Sequence, residues 1–102
     1  MIENLIRDEC NRLRDTLINK NQNYGNAVFR SQLFSSISPE EALWVRFGDK
    51  IRRLTALRGG EVDKVGESIR DTLMDVAGYA ILLLIAPQVQ AEEGEQDGSN
   101  KE

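Results

Sequence analysis

The chain has 102 residues, of which 40% are hydrophobic and 29% are charged, and its formal net charge is −4. This length predicts one domain with one core, and no apolar run approaches the roughly 20 residues of a transmembrane helix. The first residues lack the basic and apolar pattern of a secretory signal, and a lone cysteine cannot form an internal disulfide. We therefore expect a cytoplasmic protein with no membrane partner.

The acidic excess is confined to the end of the chain. Residues 91–102 contain five acidic side chains and one lysine, so this segment accounts for the whole net charge of −4. The neutral remainder lacks the basic excess that broad nucleic-acid binding requires. The segment is rich in Glu, Gln, Gly and Ser, which predicts a disordered, solubilising acidic tail over residues 89–102. Residues 1–88 are then expected to form a single helical domain.

The first helix is predicted from the spacing of its apolar residues. They recur at steps of three and four residues, at Ile2, Ile6, Cys10, Leu13 and Leu17. This spacing predicts a helix over about Ile2–Lys20, with Cys10 as an inert core residue. Polar residues 19–25, which end in Gly25, are expected to stop it. The following residues 26–37 predict either a short extra helix over Val28–Phe34 or an irregular loop.

The second helix has clear start and stop signals. Ser38 is a natural N-cap, Pro39 suits the first helical position, and Glu41 completes a Ser-x-x-Glu capping box. Arg58, Gly59 and Gly60 supply a basic last turn followed by a glycine stop. The apolar positions between these signals are Leu43, Phe47, Ile51, Leu54 and Leu57.

The third helix is predicted from near Val65 to Ile85, with Asp63 as a candidate cap and Pro87 as a barrier to continuation. Its second half is apolar nearly all round, which is typical of a buried helix. Three short helices cannot easily cover such a surface, and no segment has a sustained strand-like alternation. The predicted fold is therefore all-α, a small bundle of three main helices completed by self-association, with a dimer as its simplest form.

Three acidic residues follow one another at helical spacing in the third helix. Glu67, Asp71 and Asp75 are four residues apart, so a helix places their carboxylates on one face. Like charges at this spacing repel each other, and a divalent cation would offset the repulsion. Carboxylate oxygens are the ligands that magnesium prefers, with manganese as a substitute. The pattern predicts a metal site at this face.

Three separated motifs resemble those of a known family. They are Lys20-Asn-Gln-Asn-Tyr24-Gly25, Arg46-Phe-Gly-Asp49-Lys50-Ile-Arg-Arg53-Leu54, and Glu67-Ser-Ile-Arg-Asp71-Thr-Leu-Met-Asp75-Val-Ala-Gly-Tyr79. In this order they resemble the phage-enriched nucleotide-modification-associated domain family, over roughly residues 10 to 86. That family is similar to the MazG-type all-α nucleotide pyrophosphohydrolases, in which two acidic pairs hold magnesium against the phosphates of a nucleoside triphosphate.

The resemblance implies a nucleotide as ligand or substrate for domain 1–88, in the host cytoplasm if the chain is phage-encoded. Glu67, Asp71 and Asp75 stand in place of one acidic pair, and the other pair has only Glu9 and Asp49 nearby. Lys50, Arg46 and Arg53 are expected to contact phosphates, with Asp49 as a further metal ligand or as their partner. The expected base and ribose contacts, on a turn before the second helix, are Lys20, Asn23 and Tyr24.

Two functions remain open at this point. One is a magnesium-dependent nucleoside triphosphate pyrophosphohydrolase or a related nucleotide-processing protein, in which metal and basic residues stabilise charge during transfer. The other is a non-catalytic protein that sequesters a nucleotide, for example a host immune signalling nucleotide, at an oligomer interface. The incomplete acidic set favours the second.

Purely structural roles also remain open for these residues. The acidic row would then be a solvated face in salt bridges with Arg46, Arg53 and Arg70. The stems of Lys50 and Arg53 would cover core, and Tyr24 with Gly25 would only end the first helix. Trp44 and Tyr79 are expected to pack within the bundle.

Overall fold

The structure is a computed structural model. It describes residues 1–24, 27–29, 36–60 and 68–100, without the side chains of residues 23, 24, 27 and 93–100. Within these ranges the chain forms three α-helices and no strand: α1 (Ile2–Tyr24), α2 (Pro39–Arg58) and α3 (Ile69–Asn100), with a 3₁₀ turn at Ala27–Phe29 between α1 and α2. The predicted all-α class is confirmed. Of the predicted extra helix at Val28–Phe34, residues 28 and 29 lie in this turn and residues 30–34 lie outside the described ranges.

The start and stop of α2 follow the predicted signals. The Ser38 hydroxyl accepts a hydrogen bond from the Glu41 backbone N–H at 3.2 Å, and Pro39 occupies the first turn. At the other end, the Gly59 N–H donates to the Thr55 carbonyl at 3.0 Å. Gly60 then takes a φ of +94°, a left-handed conformation that glycine adopts without a Cβ penalty.

The described part of α3 begins with a reciprocal cap. The Asp71 N–H donates to the Ser68 hydroxyl at 3.0 Å, while the Ser68 N–H donates to the Asp71 carboxylate at 3.4 Å. This is the capping-box arrangement with Asp in place of Glu. The predicted start near Val65 and the predicted Asp63 cap lie outside the described residues.

The end of α3 differs from the prediction. The helix contains Pro87 and continues to Asn100. Proline removes one N–H and crowds the preceding turn, at a cost of about 3 kcal/mol, which tertiary packing can offset. Here Ala86 is buried and Val89 is half-buried, so packed residues flank Pro87 on both sides. The expected stop at Pro87 is therefore wrong. The disordered acidic tail over residues 89–102 and the division of the chain at residue 88 stay predictions.

The three helices pack unequally. α2 and α3 make the most extensive contact, and α1 touches α3 over a shorter length. Leu43 and Leu57 of α2 and Ala86 of α3 are buried, and the hydroxyl of fully buried Thr72 donates to the Ser68 carbonyl. The core among the described residues therefore lies mainly between α2 and α3.

Much of the predicted apolar surface is exposed in the single chain. In α1, Leu13 and Leu17 are half-buried, but Ile2 and Ile6 are exposed, and Cys10 is exposed rather than in the core. α3 likewise leaves large side chains uncovered, so its apolar second half is not buried by α1 and α2 alone.

Among the described residues, one stretch is long and apolar enough to cross a membrane by length and composition. It is Ile69–Glu92 in α3, with a mean hydropathy of 1.6 and 17% of the window buried. The prediction that no segment is apolar enough is wrong on this criterion. Core helices of soluble proteins also satisfy this criterion. The absence of a membrane partner stays a prediction.

Candidate site at the junction of α2 and α3

An ion pair joins α2 and α3 at their shared face. The Lys50 ammonium lies 2.9 Å from the Asp75 carboxylate, and the two side chains are only 27% and 26% exposed. The acidic row of α3 and the basic side of α2 therefore meet at one place, which we call the charged junction, defined by Lys50 and Asp75. The partial burial of both groups reduces the solvent screening of their charges.

The two predicted arginines flank Lys50 on the same helix. Arg46 lies one turn before Lys50 and Arg53 lies about one turn after it, so the three side chains share one side of α2 at 100° per residue. Arg46 is exposed, whereas Arg53 is half-buried and its Nε atom is shielded from solvent. The structure thus brings the predicted phosphate ligands together along one edge of the charged junction.

The predicted metal ligands are engaged with protein groups. Asp75 binds Lys50, and Asp71 accepts the Ser68 N–H at the start of α3. Asp49 is exposed and pairs with Arg52 on its own helix, so it is not directed at the acidic row. Glu67 lies outside the described residues.

The described residues do not form a complete magnesium site. No group of three or more His, Cys, Asp or Glu side chains among them is arranged to hold a metal ion. Asp71 and Asp75 supply two carboxylates one turn apart, and magnesium is commonly held by one or two carboxylates together with substrate phosphates. The prediction of magnesium, with manganese as a substitute, therefore rests on Glu67 and on phosphates as further ligands.

The predicted base and ribose contacts lie at the end of α1. Lys20 is exposed, and residues 23 and 24 belong to the last turn of the helix rather than to a turn after it. The side chains of Asn23 and Tyr24 are outside the described part of the chain. The role of these three residues stays a prediction.

A second ion pair was not anticipated as a contact. The Arg70 guanidinium donates to the Glu9 carboxylate at 2.9 Å and joins α1 to α3, while Arg12 binds the same carboxylate. The hydrogen bond from Arg70 lowers the pKa of Glu9, and the same bond raises the pKa of Arg70. The available signal was that Glu9 interrupts the apolar stripe of α1 at a position facing the bundle.

The aromatic residues of the motifs have different surroundings. Trp44 is exposed and meets Phe47 edge-on, with ring centroids 5.9 Å apart and an interplanar angle of 87°. Tyr79 is half-buried in α3. The expected packing within the bundle therefore fits half-buried Tyr79 but not exposed Trp44.

These features define a small all-α protein with a charged junction between two sets of motif residues, basic on α2 and acidic on α3. Residues 20–86 match the model of the family described as nucleotide modification associated domain 1. This is more than half of the chain, and the chain belongs to that family. The match includes the charged junction and leaves most of α1 outside. Comparisons with curated proteins and with solved structures gave no significant match.

Proposed function

We propose that this chain binds a nucleotide through its phosphates at the charged junction. The Lys50–Asp75 pair carries the proposal, because it holds an ammonium in a fixed and partly desolvated position between the two family motifs. Arg46, Lys50 and Arg53 place three basic groups along one side of α2 beside this pair. Charge-assisted contacts from Arg and Lys to phosphate oxygens are among the stronger polar interactions in proteins.

Two functions follow from nucleotide binding: the protein either hydrolyses the bound nucleotide or holds it without turnover. Turnover by a magnesium-dependent pyrophosphohydrolase or related nucleotide-processing protein is what the MazG-type resemblance implies. Its structural support is the placement of Asp71 and Asp75 one turn apart beside the basic edge. Capture without turnover is the alternative, and it is favoured by the engagement of both carboxylates with Lys50 and Ser68.

Binding is tested first. Purified protein is titrated with a panel of nucleoside triphosphates and cyclic nucleotides by calorimetry, with magnesium present or with a chelator. We expect at least one nucleotide to bind, and Lys50→Ala to abolish most of that affinity. Arg52→Ala is the matched control, since Arg52 is an exposed cation on the same helix that binds Asp49. No binding by any nucleotide, or equal losses in the two variants, would contradict the proposal.

Turnover is tested with the nucleotide that binds. Reactions with magnesium are separated by chromatography, and pyrophosphate that disappears in Asp71→Asn would establish an enzyme. Asparagine keeps an oxygen that can accept the Ser68 N–H, so this variant removes charge while preserving the cap. Asp15→Asn on α1 is the control. Intact nucleotide recovered from denatured protein, with affinity that survives chelation, would establish capture.

A further inference from the structure

One side of α3 carries only apolar residues. At 100° per residue, Ile69, Leu73 and Leu84 fall on the side of the helix opposite Asp75. We define the outer face of α3 by six residues on this side, which are Ile69, Leu73, Val76, Ala77, Ala80 and Leu84. Ile69, Leu73 and Leu84 are 42%, 50% and 70% exposed.

The other sides of α3 are occupied by the chain itself. Asp75 faces Lys50 of α2, and Gly78 faces α1, where a Cβ built on this glycine would lie 3.2 Å from Leu17. α3 is thus packed on two sides and apolar on a third. An exposed apolar stripe of this length on a helix is unfavourable in water and commonly marks an interaction surface.

The chain exposes more surface than a compact monomer of its mass. The chain exposes 7901 Å², compared with about 5,800 Å² expected for a folded monomer of 11.5 kDa. The radius of gyration is 16.5 Å, compared with about 13 Å expected for this length. Even half of the area excess, roughly 1,000 Å², is what each chain contributes to an obligate homodimer.

We propose that a second copy of this chain packs against the outer face of α3, so that two α3 helices meet across a two-fold axis. A two-fold interface uses the same patch on both chains, and the middle of the patch then meets itself. Ala77 and Ala80 lie midway along the length of the outer face, where small side chains permit close approach of the helices. Because Asp75 lies on the opposite side of α3, the dimer leaves the charged junction within each chain.

The first test is the mass of the protein in detergent-free buffer, measured by sedimentation equilibrium over a range of concentrations. We expect a dimer of twice 11.5 kDa for the natural chain. The double variant Leu73→Lys with Leu84→Lys places charges in the interface and is expected to weaken dimerisation by roughly 100-fold or more. Val45→Lys is the control, because Val45 is 54% exposed on α2 and lies off the outer face.

A cysteine variant tests the same interface without added charge. In a Cys10→Ser background, Ala77→Cys is expected to form an intermolecular disulfide on mild oxidation, because a two-fold axis midway along the outer face brings the two copies of this residue together. Val45→Cys is expected to remain unlinked. A monomeric natural chain, cross-linking equal at both positions, or a chain that sediments with phosphatidylcholine vesicles and dimerises only in detergent would overturn the proposal. Nucleotide binding that persists in the monomeric double variant would show that the two sites are independent.

Discussion

α3 makes two junctions, and the described residues of each include an interhelical ion pair with a separation of 2.9 Å. The Lys50–Asp75 pair with α2 is about one quarter exposed on both sides, and buried leucines of α2 lie on the same contact. The Arg70–Glu9 pair with α1 is 59% and 43% exposed. The two pairs have the same separation but differ in solvent exposure.

The difference in burial distinguishes the two pairs: the exposed Arg70–Glu9 pair is a structural contact, and the half-buried Lys50–Asp75 pair is the candidate binding site. Water and salt screen the exposed pair, which therefore contributes little beyond its hydrogen bonds. The half-buried pair keeps its charges in a less polar environment, where an incoming phosphate experiences them more strongly. We expect the α2 junction to dominate stability and ligand affinity, and the α1 junction to affect neither strongly.

The largest expected effect is on stability at the α2 junction. Leu43 is fully buried, so Leu43→Ala removes packed methyl groups and leaves a cavity, at a cost of about 2–5 kcal/mol. Val45→Ala, at an exposed position two residues away, should change the free energy of unfolding by less than about 0.5 kcal/mol. Leu13→Ala in the α1 junction should cost less than half of the Leu43 value. Urea denaturation measures all three, and a greater loss for Leu13 would reverse the comparison.

Nucleotide affinity should respond to one ion pair and not the other. Lys50→Ala removes a cation that we place on the phosphates, so Kd should rise about 10- to 100-fold, with a loss of stability of under about 1 kcal/mol. Arg70→Ala should leave Kd unchanged. Calorimetry and thermal unfolding give the two quantities. A large fall in melting temperature with unchanged binding for Lys50→Ala would make Lys50 a structural residue.

Two glycines in helix interiors should respond in opposite directions. A Cβ on Gly78 would lie 3.2 Å from the end of the Leu17 side chain, so Gly78→Leu should overpack the α1 junction and cost about 1–3 kcal/mol. Gly48 faces more open space, with Arg52 at 3.9 Å, and Gly48→Ala should stabilise α2 by about 0.5–1 kcal/mol. Denaturation midpoints of the two variants measure the contrast. Equal effects would mean that α1 does not pack closely at Gly78.

The smallest expected effect is a pH dependence from the α1 junction. Arg70 lowers the pKa of Glu9 below its ordinary value of 4.5, so the pair stabilises the fold above that pH. This contribution is lost as the pH falls through the lowered pKa. Glu9→Gln should therefore flatten the acid side of the stability profile, and Arg70→Ala should flatten it similarly. A profile unchanged in both variants would remove Glu9 as a contributor.

Local signals in the sequence predicted the helices well where they involve neighbouring residues. The Ser38 cap, the Gly59–Gly60 stop and the all-α class all follow from short-range chemistry. The end of α3 was mispredicted because the cost of Pro87 depends on packing around it, which a local pattern does not contain. The exposure of the first half of the apolar stripe of α1 was mispredicted for the same reason. Periodicity identifies an apolar face but does not show which element packs against it.

The candidate site was predicted in outline rather than in detail. The sequence placed the acidic row on one face of α3 and assigned Lys50 to the same site, and the contact between Lys50 and Asp75 brings the two together. The sequence did not distinguish the roles of two carboxylates. Asp71 accepts the Ser68 N–H in the helix cap, whereas Asp75 pairs with Lys50. The structural alternative paired Arg70 with the acidic row, whereas Arg70 binds Glu9 on another helix. The ion-pair partner of a residue on another helix depends on how whole helices pack, which local sequence patterns do not show.

The most direct test of the account is to locate the ligand on the chain by NMR. Backbone ¹H–¹⁵N shifts are followed while the nucleotide selected by the binding panel is titrated in. We predict that the largest changes cluster at residues 46–53 of α2 and 71–79 of α3, around Lys50 and Asp75. Changes centred on α1 and Arg70 instead, with the charged junction unaffected, would contradict it.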